Sequence, residues 1–171
     1  MKKKINKILK KTIITFFTFL LFDLLIGNYV YKKILRKGYF DVDTNMATRH
    51  PVYNHGVKKN YNTSSAGWGK KKFSFCSDNF GFRNNCNVKY EKKFFDVGFI
   101  GDSQTIGFGL GFEETFSSII SNNFKDKKFA NLASSSYSPA IYYSKIKYLI
   151  DNGFKFKEII VFIDISDLHD D

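Results

Sequence analysis

The last part of the chain alternates short apolar runs with amphipathic stretches, and this pattern constrains the fold more than any other feature. Residues 95–100, 129–133 and 158–163 have the length of strands, and the third run is typical of a parallel strand covered on both faces. Between them, residues 115–124 and the segment that begins at Pro139 carry apolar residues at helical spacing. The order strand–helix–strand–helix–strand predicts a doubly wound α/β fold with a parallel sheet.

Polar residues follow each of the three predicted strands. They are, in chain order, Asp102 and Ser103, Asn131 and Ser136, and Ser166 and Asp167. Because the carboxyl ends of parallel strands share one edge of the sheet, these three loops are expected to converge. A serine at such an edge can be a nucleophile. The alternative is that Ser103 caps a helix, since Ser and Asp are favoured residues at helix starts.

Most of the net positive charge lies in the first 37 residues. They contain ten Lys or Arg and one acidic residue, which gives +9 of the total formal charge of +11. A nucleic-acid-binding domain is expected to carry a basic stripe on its folded surface, so this distribution argues against a nucleic-acid partner. Within this segment, residues 13–31 form the mostly apolar run IITFFTFLLFDLLIGNYVY. At about 1.5 Å per residue, a helix of this length nearly matches a hydrocarbon core of roughly 30 Å.

Residues 13–31 are predicted to be a transmembrane signal anchor that follows a basic cytoplasmic tail, residues 1–12. A cleaved signal peptide is the alternative, but no A-x-A-like cleavage site follows Gly27. The lysines on the N-terminal side favour an N-terminus that stays inside. Asp23 within the run would cost about 3 kcal/mol at the membrane centre. It indicates either a partner in the membrane or a tolerated polar residue.

Residues 32–72 are interpreted as a linker or flap, since they show little periodicity. His50 and His55 lie in this segment; they could reach a site, but loop histidines are more often on the surface. Cys76 and Cys86 bracket a loop that a disulfide could close, at about 3 kcal/mol in the loop-entropy model; free thiols are the alternative. Two cysteines without a C-x-x-C pair or a nearby histidine pair make a poor zinc site, so no metal and no cofactor is predicted.

Three segments together resemble the conserved blocks of the SGNH/GDSL hydrolase superfamily, in particular its membrane-anchored bacterial envelope members. FIGDSQTIGFGLGFEETF is similar to the first block, in which GDS carries the nucleophile. NLASSSYSP is similar to the second block, and IDISDLHDD occupies the place of the third. Upstream, DNFGFRN is similar to a segment that often precedes the first block. The resemblance covers residues 73–171 and implies the N-terminal part of an SGNH-hydrolase-like domain, a flavodoxin-like three-layer α/β fold with a parallel sheet.

The resemblance also implies roles for individual residues. Ser103 would be the nucleophile, and its own N–H would be one oxyanion donor. The N–H of Ser136 would be the second donor, in place of the family's glycine. Ser166 would stand where the family usually has the asparagine that supplies the third. The supporting positions would be Asp102, Asn131 and Asp167.

The activity that the resemblance implies is that of a serine esterase or O-acyltransferase. The substrates would be acyl esters, such as O-acetylated glycans of the envelope. The protein would be a single-pass protein of the bacterial inner membrane, with its C-terminal domain in the periplasm. An oxidising periplasm would permit the disulfide.

The family takes its catalytic base from a late Asp-x-x-His, and no such motif follows Ser103. His169 is the histidine that does follow it, at a different spacing. We therefore expect the chain to be the front part of a longer domain, through truncation, fragmentation or degeneration. A catalytically inactive envelope remnant or a binding protein is the alternative function. A nucleotide-binding domain is a third reading of the glycines at residues 101–111, but there is neither G-K-[ST] nor G-x-G-x-x-G after the strand.

Overall fold

A computed structural model describes residues 2–30, 44–69 and 71–168, with side chains for residues 8–30, 45–69, 71–165 and 167. The chain divides into two compact units, Met1–Asp41 and Val42–Asp171. The described part of the first unit is a helix. The described part of the second unit is a mixed α/β structure with a three-stranded parallel sheet.

The helix of the first unit is long and apolar. Helix α1 (Lys2–Phe22) continues through a π-helical turn (Asp23–Gly27) and a last helical turn (Asn28–Val30). Within it, Ile8–Val30 is a stretch of 23 residues with a mean hydropathy of 1.9, long and apolar enough to cross a membrane. Asp23 Oδ1 lies against Gly27, where a Cβ would come within 2.6 Å of it. The glycine thus leaves room for the carboxylate beside its own helix.

Two antiparallel hairpins open the described part of the second unit. The first pairs β1 (Ala47–His50) with β2 (Asn54–Val57), and the second pairs β3 (Asn62–Trp68) with β4 (Lys71–Cys76). The segment expected to be a linker or flap therefore contains three strands. The alternation in β4, where Phe73 and Phe75 are buried and Ser74 is exposed, is the local signal of a half-buried strand.

The parallel sheet has the strand order β6-β5-β7. Its strands are β5 (Phe94–Ile100), β6 (Phe129–Asn131) and β7 (Lys155–Val161). The helices between them are α2 (Ser103–Ile106), α3 (Phe116–Asn123) and α4 (Pro139–Asp151). The predicted alternation of strands and helices is confirmed, and the predicted first strand is the central strand of the sheet.

The core consists of two clusters of buried side chains. One lies between α4 and the sheet, and it contains Phe82, Phe95, Ile100, Ala130, Leu132, Tyr137, Tyr142, Leu149 and Phe154. The other lies under the hairpins, and it contains Met46, Val57, Ala66, Phe73, Phe75, Ile106 and Ala133. Because Ile106 ends α2 and Ala133 follows β6, the second cluster fixes both hairpins against the sheet edge where Ser103 lies.

The third strand differs from the prediction of a strand covered on both faces. Among the described strands, β7 pairs with β5 alone and forms one edge of the sheet. Ile160 and Val161 are 41% and 44% exposed. The apolar run therefore identified a strand, but it did not show how many of the strand's faces are covered by other elements.

Candidate active site

The turn after β5 is shaped by a glycine and an aspartate. A Cβ at Gly101 would come within 2.1 Å of Thr105 Oγ1, so only glycine fits there. Asp102 is extended and accepts the N–H of Gln104 on Oδ1 at 2.9 Å, which makes it the N-cap of α2. The capping role considered for Ser103 therefore belongs to its neighbour, and Asp102 supports the turn.

Ser103 is the first residue of α2 and is half-buried. Its hydroxyl lies 3.4 Å from Asp102 Oδ2, a long hydrogen bond. The described histidines hydrogen-bond elsewhere: His50 Nδ1 accepts the N–H of Val52, and His55 bonds to the backbone of Ser135. His169 lies outside the described residues.

Asn131, predicted as a supporting residue, ties the end of β6 to two helices. Its side chain is 4% exposed. Nδ2 donates to Thr105 O at 2.9 Å and to Ser117 Oγ at 3.1 Å, and Oδ1 accepts the N–H of Ala133 at 3.1 Å. All polar atoms of this amide are therefore used within the protein. Asn131 holds α2, and with it Ser103, against the neighbouring strand.

Arg83 binds the other end of α2 and was missed by the sequence prediction. Its guanidinium donates to Ile106 O, to Gly107 O at 2.6 Å and to Leu110 O, and it lies over the ring of Phe75. The side chain is 1% exposed, and burial lowers its pKa to about 10, so it stays charged at neutral pH. A signal was present: Arg83 is one of three arginines in a chain with 24 lysines. The planar fork of arginine can donate to several separated carbonyls at once from different nitrogens.

The loop that carries Arg83 is closed and anchored on both sides. Cys76 and Cys86 form a disulfide, with their Cα atoms 5.0 Å apart. Asp78 is buried and accepts the N–H groups of Phe80 and Phe82 on Oδ1, at 2.9 and 3.0 Å. The N–H of Arg83 donates to Asn131 O at 3.3 Å. The segment DNFGFRN is thus a brace between β4, β6 and the end of α2.

The loop after β6 holds Ser136 in an uncommon conformation. The N–H of Ser134 donates to Gly101 O at 3.4 Å, which joins this loop to the turn before Ser103. Ser136 has φ = +53°, in the left-handed region. That region costs an L-residue about 1–2 kcal/mol, and it is accessible to glycine without that penalty. The serine thus adopts a backbone conformation typical of glycine, the residue that the resemblance leads one to expect at this position.

The loop after β7 meets α2 from the other side. Gln104 Nε2 donates to Asp164 Oδ2, and the N–H of Phe162 donates to Ile100 O at 2.8 Å. The predicted supporting residue Asp167 is fully buried; its Oδ2 accepts the hydroxyl of Tyr142 at 2.8 Å and the N–H of Asp164 at 2.9 Å. The pKa of the Tyr142 hydroxyl is raised, by burial first and by the hydrogen bond to Asp167 second.

Ser166 belongs to the 3₁₀ turn Ile165–Leu168, and the oxyanion role expected of it concerns a side chain outside the described residues. In this turn the N–H of Asp167 donates to Asp164 O at 3.1 Å. The structure therefore brings the three predicted loops to one edge of the sheet. The loop after β6 hydrogen-bonds to Gly101 in the turn before Ser103, and the loop after β7 hydrogen-bonds to Gln104 on α2.

No protein-family model matches this chain, and no curated protein matches it.

Proposed function

We propose that the protein is a membrane-anchored serine esterase or O-acyltransferase of the SGNH/GDSL type, with Ser103 as its nucleophile. One observation carries the proposal. Asp102 caps α2, so the hydroxyl of Ser103 is left with a long bond of 3.4 Å in the first turn beyond the central strand. Open α/β sheets bind their substrates at this edge.

In the proposed reaction, Ser103 Oγ attacks the carbonyl carbon of an acyl ester while its proton passes to a base. The tetrahedral intermediate collapses as the alcohol leaves with a proton, and the acyl group stays on Ser103. Water then releases the acid, or a sugar hydroxyl takes up the acyl group. The N–H groups of Ser103 and Ser136 are the proposed donors to the oxyanion, and one such donor is worth about 3 kcal/mol.

The proposed location is the inner membrane of a bacterium, with the α/β domain in the periplasm. The helical stretch Ile8–Val30 is long and apolar enough to span a membrane, and the lysines before it favour an inside N-terminus. The disulfide between Cys76 and Cys86 needs an oxidising compartment. Acyl esters of envelope glycans are the substrate class that fits this location. A C-terminal alkaline phosphatase fusion should be active, and an inactive fusion would contradict the orientation.

The reactivity of Ser103 is the property that tests this function, because a serine without an activating base is a weak nucleophile. The full-length protein in detergent should react with a fluorophosphonate probe, and Ser103→Ala should abolish labelling. Ser64→Ala is the matched control, since Ser64 is exposed on β3. Folded wild-type protein that does not react would refute the enzyme and favour a binding protein.

A further inference from the structure

The peptide that joins Ser135 to Ser136 is bound through its carbonyl oxygen. His55 Nε2 lies 2.6 Å from Ser135 O. A carbonyl oxygen can only accept a hydrogen bond, so Nε2 carries the proton and donates it. His55 lies on β2, and this bond connects the first hairpin to the loop after β6.

This bond also determines where the N–H of Ser136 points. A peptide unit is planar and trans, so its C=O and N–H point in opposite directions. Ser135 O and the N–H of Ser136 belong to the same unit. A donor that holds the oxygen therefore fixes the direction of the N–H. Bonding at the oxygen also polarises the amide, which strengthens the N–H as a donor.

The opposite orientation of the same unit would relieve the positive φ of Ser136. Ser136 has φ = +53°, which L-residues rarely adopt. A half-turn of the Ser135–Ser136 peptide changes ψ of Ser135 and φ of Ser136. It would bring Ser136 to a common negative φ and turn its N–H away. The hydrogen bond from His55 opposes this rotation, because the rotation would remove the acceptor.

The imidazole is itself held in place. The hydroxyl of Tyr137, a fully buried residue, donates to His55 O, and the two rings lie edge to face with centroids 5.1 Å apart. Lys145 Nζ donates to the same hydroxyl at 3.1 Å. His55 is also paired with Arg49 across the hairpin. The donor atom thus belongs to the packed part of the domain, although the residue lies on a hairpin.

We propose that His55 is a positioning residue for the oxyanion hole: it holds the Ser135–Ser136 peptide in the orientation that presents the N–H of Ser136 to the substrate. This inference rests on the proposed function of Ser103. His55 does not touch the reacting atoms; it acts through the peptide that it binds.

The first test measures the second-order rate constant for fluorophosphonate labelling of Ser103, together with kcat and KM for p-nitrophenyl acetate. The full chain in detergent is compared with His55→Ala and His55→Gln. We expect His55→Ala to lower labelling and kcat about tenfold at unchanged KM. A missing oxyanion donor lowers kcat about 10²–10³-fold. The expected loss is smaller, because only part of the molecules would have the Ser135–Ser136 peptide rotated. His55→Gln keeps an N–H donor, and it should remain within about threefold of wild type.

A second comparison separates positioning from simple packing. Glycine accepts the left-handed conformation without the penalty of serine. In a Ser136→Gly background, His55→Ala should therefore lower the labelling rate by less than about threefold. An equal loss in the serine and glycine backgrounds would overturn the proposal.

The orientation of the peptide is a readout that does not depend on catalysis. Structures of the wild-type and His55→Ala chains should show Ser136 at positive and negative φ, respectively. A peptide that keeps its orientation in His55→Ala would overturn the role of His55. Wild-type protein that is not labelled would refute the proposed function, and this structural comparison would still decide the role of His55. If His55→Ala does not fold, the same comparison is made with His55→Leu.

Discussion

Arg83 Nη1 lies 2.6 Å from Gly107 O, at the opposite end of the one-turn helix that begins with Ser103. The same guanidinium donates to Ile106 O and Leu110 O. A helix of four residues cannot hold its own conformation in water, because helix nucleation is unfavourable. The orientation of Ser103 therefore depends on contacts from outside the helix, and Arg83 supplies those at its C-terminal end.

Substituting Arg83 should therefore loosen α2. Lysine keeps the charge but presents a single ammonium, which cannot reach all three of the carbonyl oxygens that the guanidinium binds. Arg83→Lys should lower the free energy of unfolding by about 2 kcal/mol, since hydrogen bonds to charged groups are worth roughly 1.5–3 kcal/mol each. Urea denaturation measures this change. Arg49→Lys is the matched control, because Arg49 is exposed on β1. Equal stability of both variants would show that Arg83 does not brace the helix.

Lys145 gives the domain a pH-dependent stability. Its ammonium is buried, donates to Leu132 O at 2.6 Å and to the Tyr137 hydroxyl at 3.1 Å, and lies over the ring of Tyr53. Burial lowers the pKa of Lys145 from 10.5 to about 7. Between these values the unfolded chain binds more protons than the folded chain, so stability rises with pH. We expect a slope of up to about 1.4 kcal/mol per pH unit between pH 7 and 10.

The neighbouring groups Tyr53 and His50 titrate outside this pH window. Burial raises the pKa of Tyr53 to about 12, so its contribution is present below pH 10 and is lost only above it. The pKa of His50 is lowered, first by desolvation and then by Lys145, so its titration lies below the window. Lys145→Met should therefore flatten the profile between pH 7 and 10, as measured by urea denaturation. Lys147→Met, which removes an exposed lysine of the same helix, should keep the wild-type slope. A slope that persists in Lys145→Met would contradict this assignment.

The three strands of the parallel sheet, the helices between them and the meeting of the three loops could be predicted from sequence, because each depends on local periodicity and on the geometry of parallel sheets. The two hairpins could not, because their segment shows little periodicity. The contacts that hold the loops could not. His55 and Ser135 are 80 residues apart, and a lone histidine in a polar segment gives no sign of its partner. Similarly, the segment DNFGFRN was singled out as a motif, but the three carbonyls that Arg83 binds follow only from the folded chain.

The disulfide between Cys76 and Cys86 should stabilise the brace that carries Arg83. Both cysteines flank this loop, and closing a loop of this size is worth about 3 kcal/mol in the chain-entropy model. Reduction with dithiothreitol should lower the free energy of unfolding by about 2–3 kcal/mol. The measurement compares urea denaturation with and without reductant. The double variant Cys76→Ser/Cys86→Ser should match the reduced wild type and should not respond to reductant. An unchanged midpoint on reduction would contradict the prediction.

The turn before Ser103 should tolerate no side chain at Gly101. A Cβ there would come within 2.1 Å of Thr105 Oγ1, 2.7 Å of Thr105 Cβ and 3.1 Å of Phe162 O. Rotation of Thr105 removes the first clash and leaves the other two, so the strand end itself must move. Gly101→Ala should lower the free energy of unfolding by about 3 kcal/mol, at the upper end for overpacking, or prevent folding.

Gly111 is the matched control for Gly101, since a Cβ there would meet its neighbours at an ordinary 3.5 Å. Its φ of −63° is also open to any residue. Gly111→Ala should change the free energy of unfolding by less than about 0.5 kcal/mol, as surface substitutions away from special features do. Thermal denaturation of both variants tests the difference. If Gly101→Ala were as stable as Gly111→Ala, the turn would be able to shift, and the fixed position of Ser103 beyond β5 would have to be reconsidered.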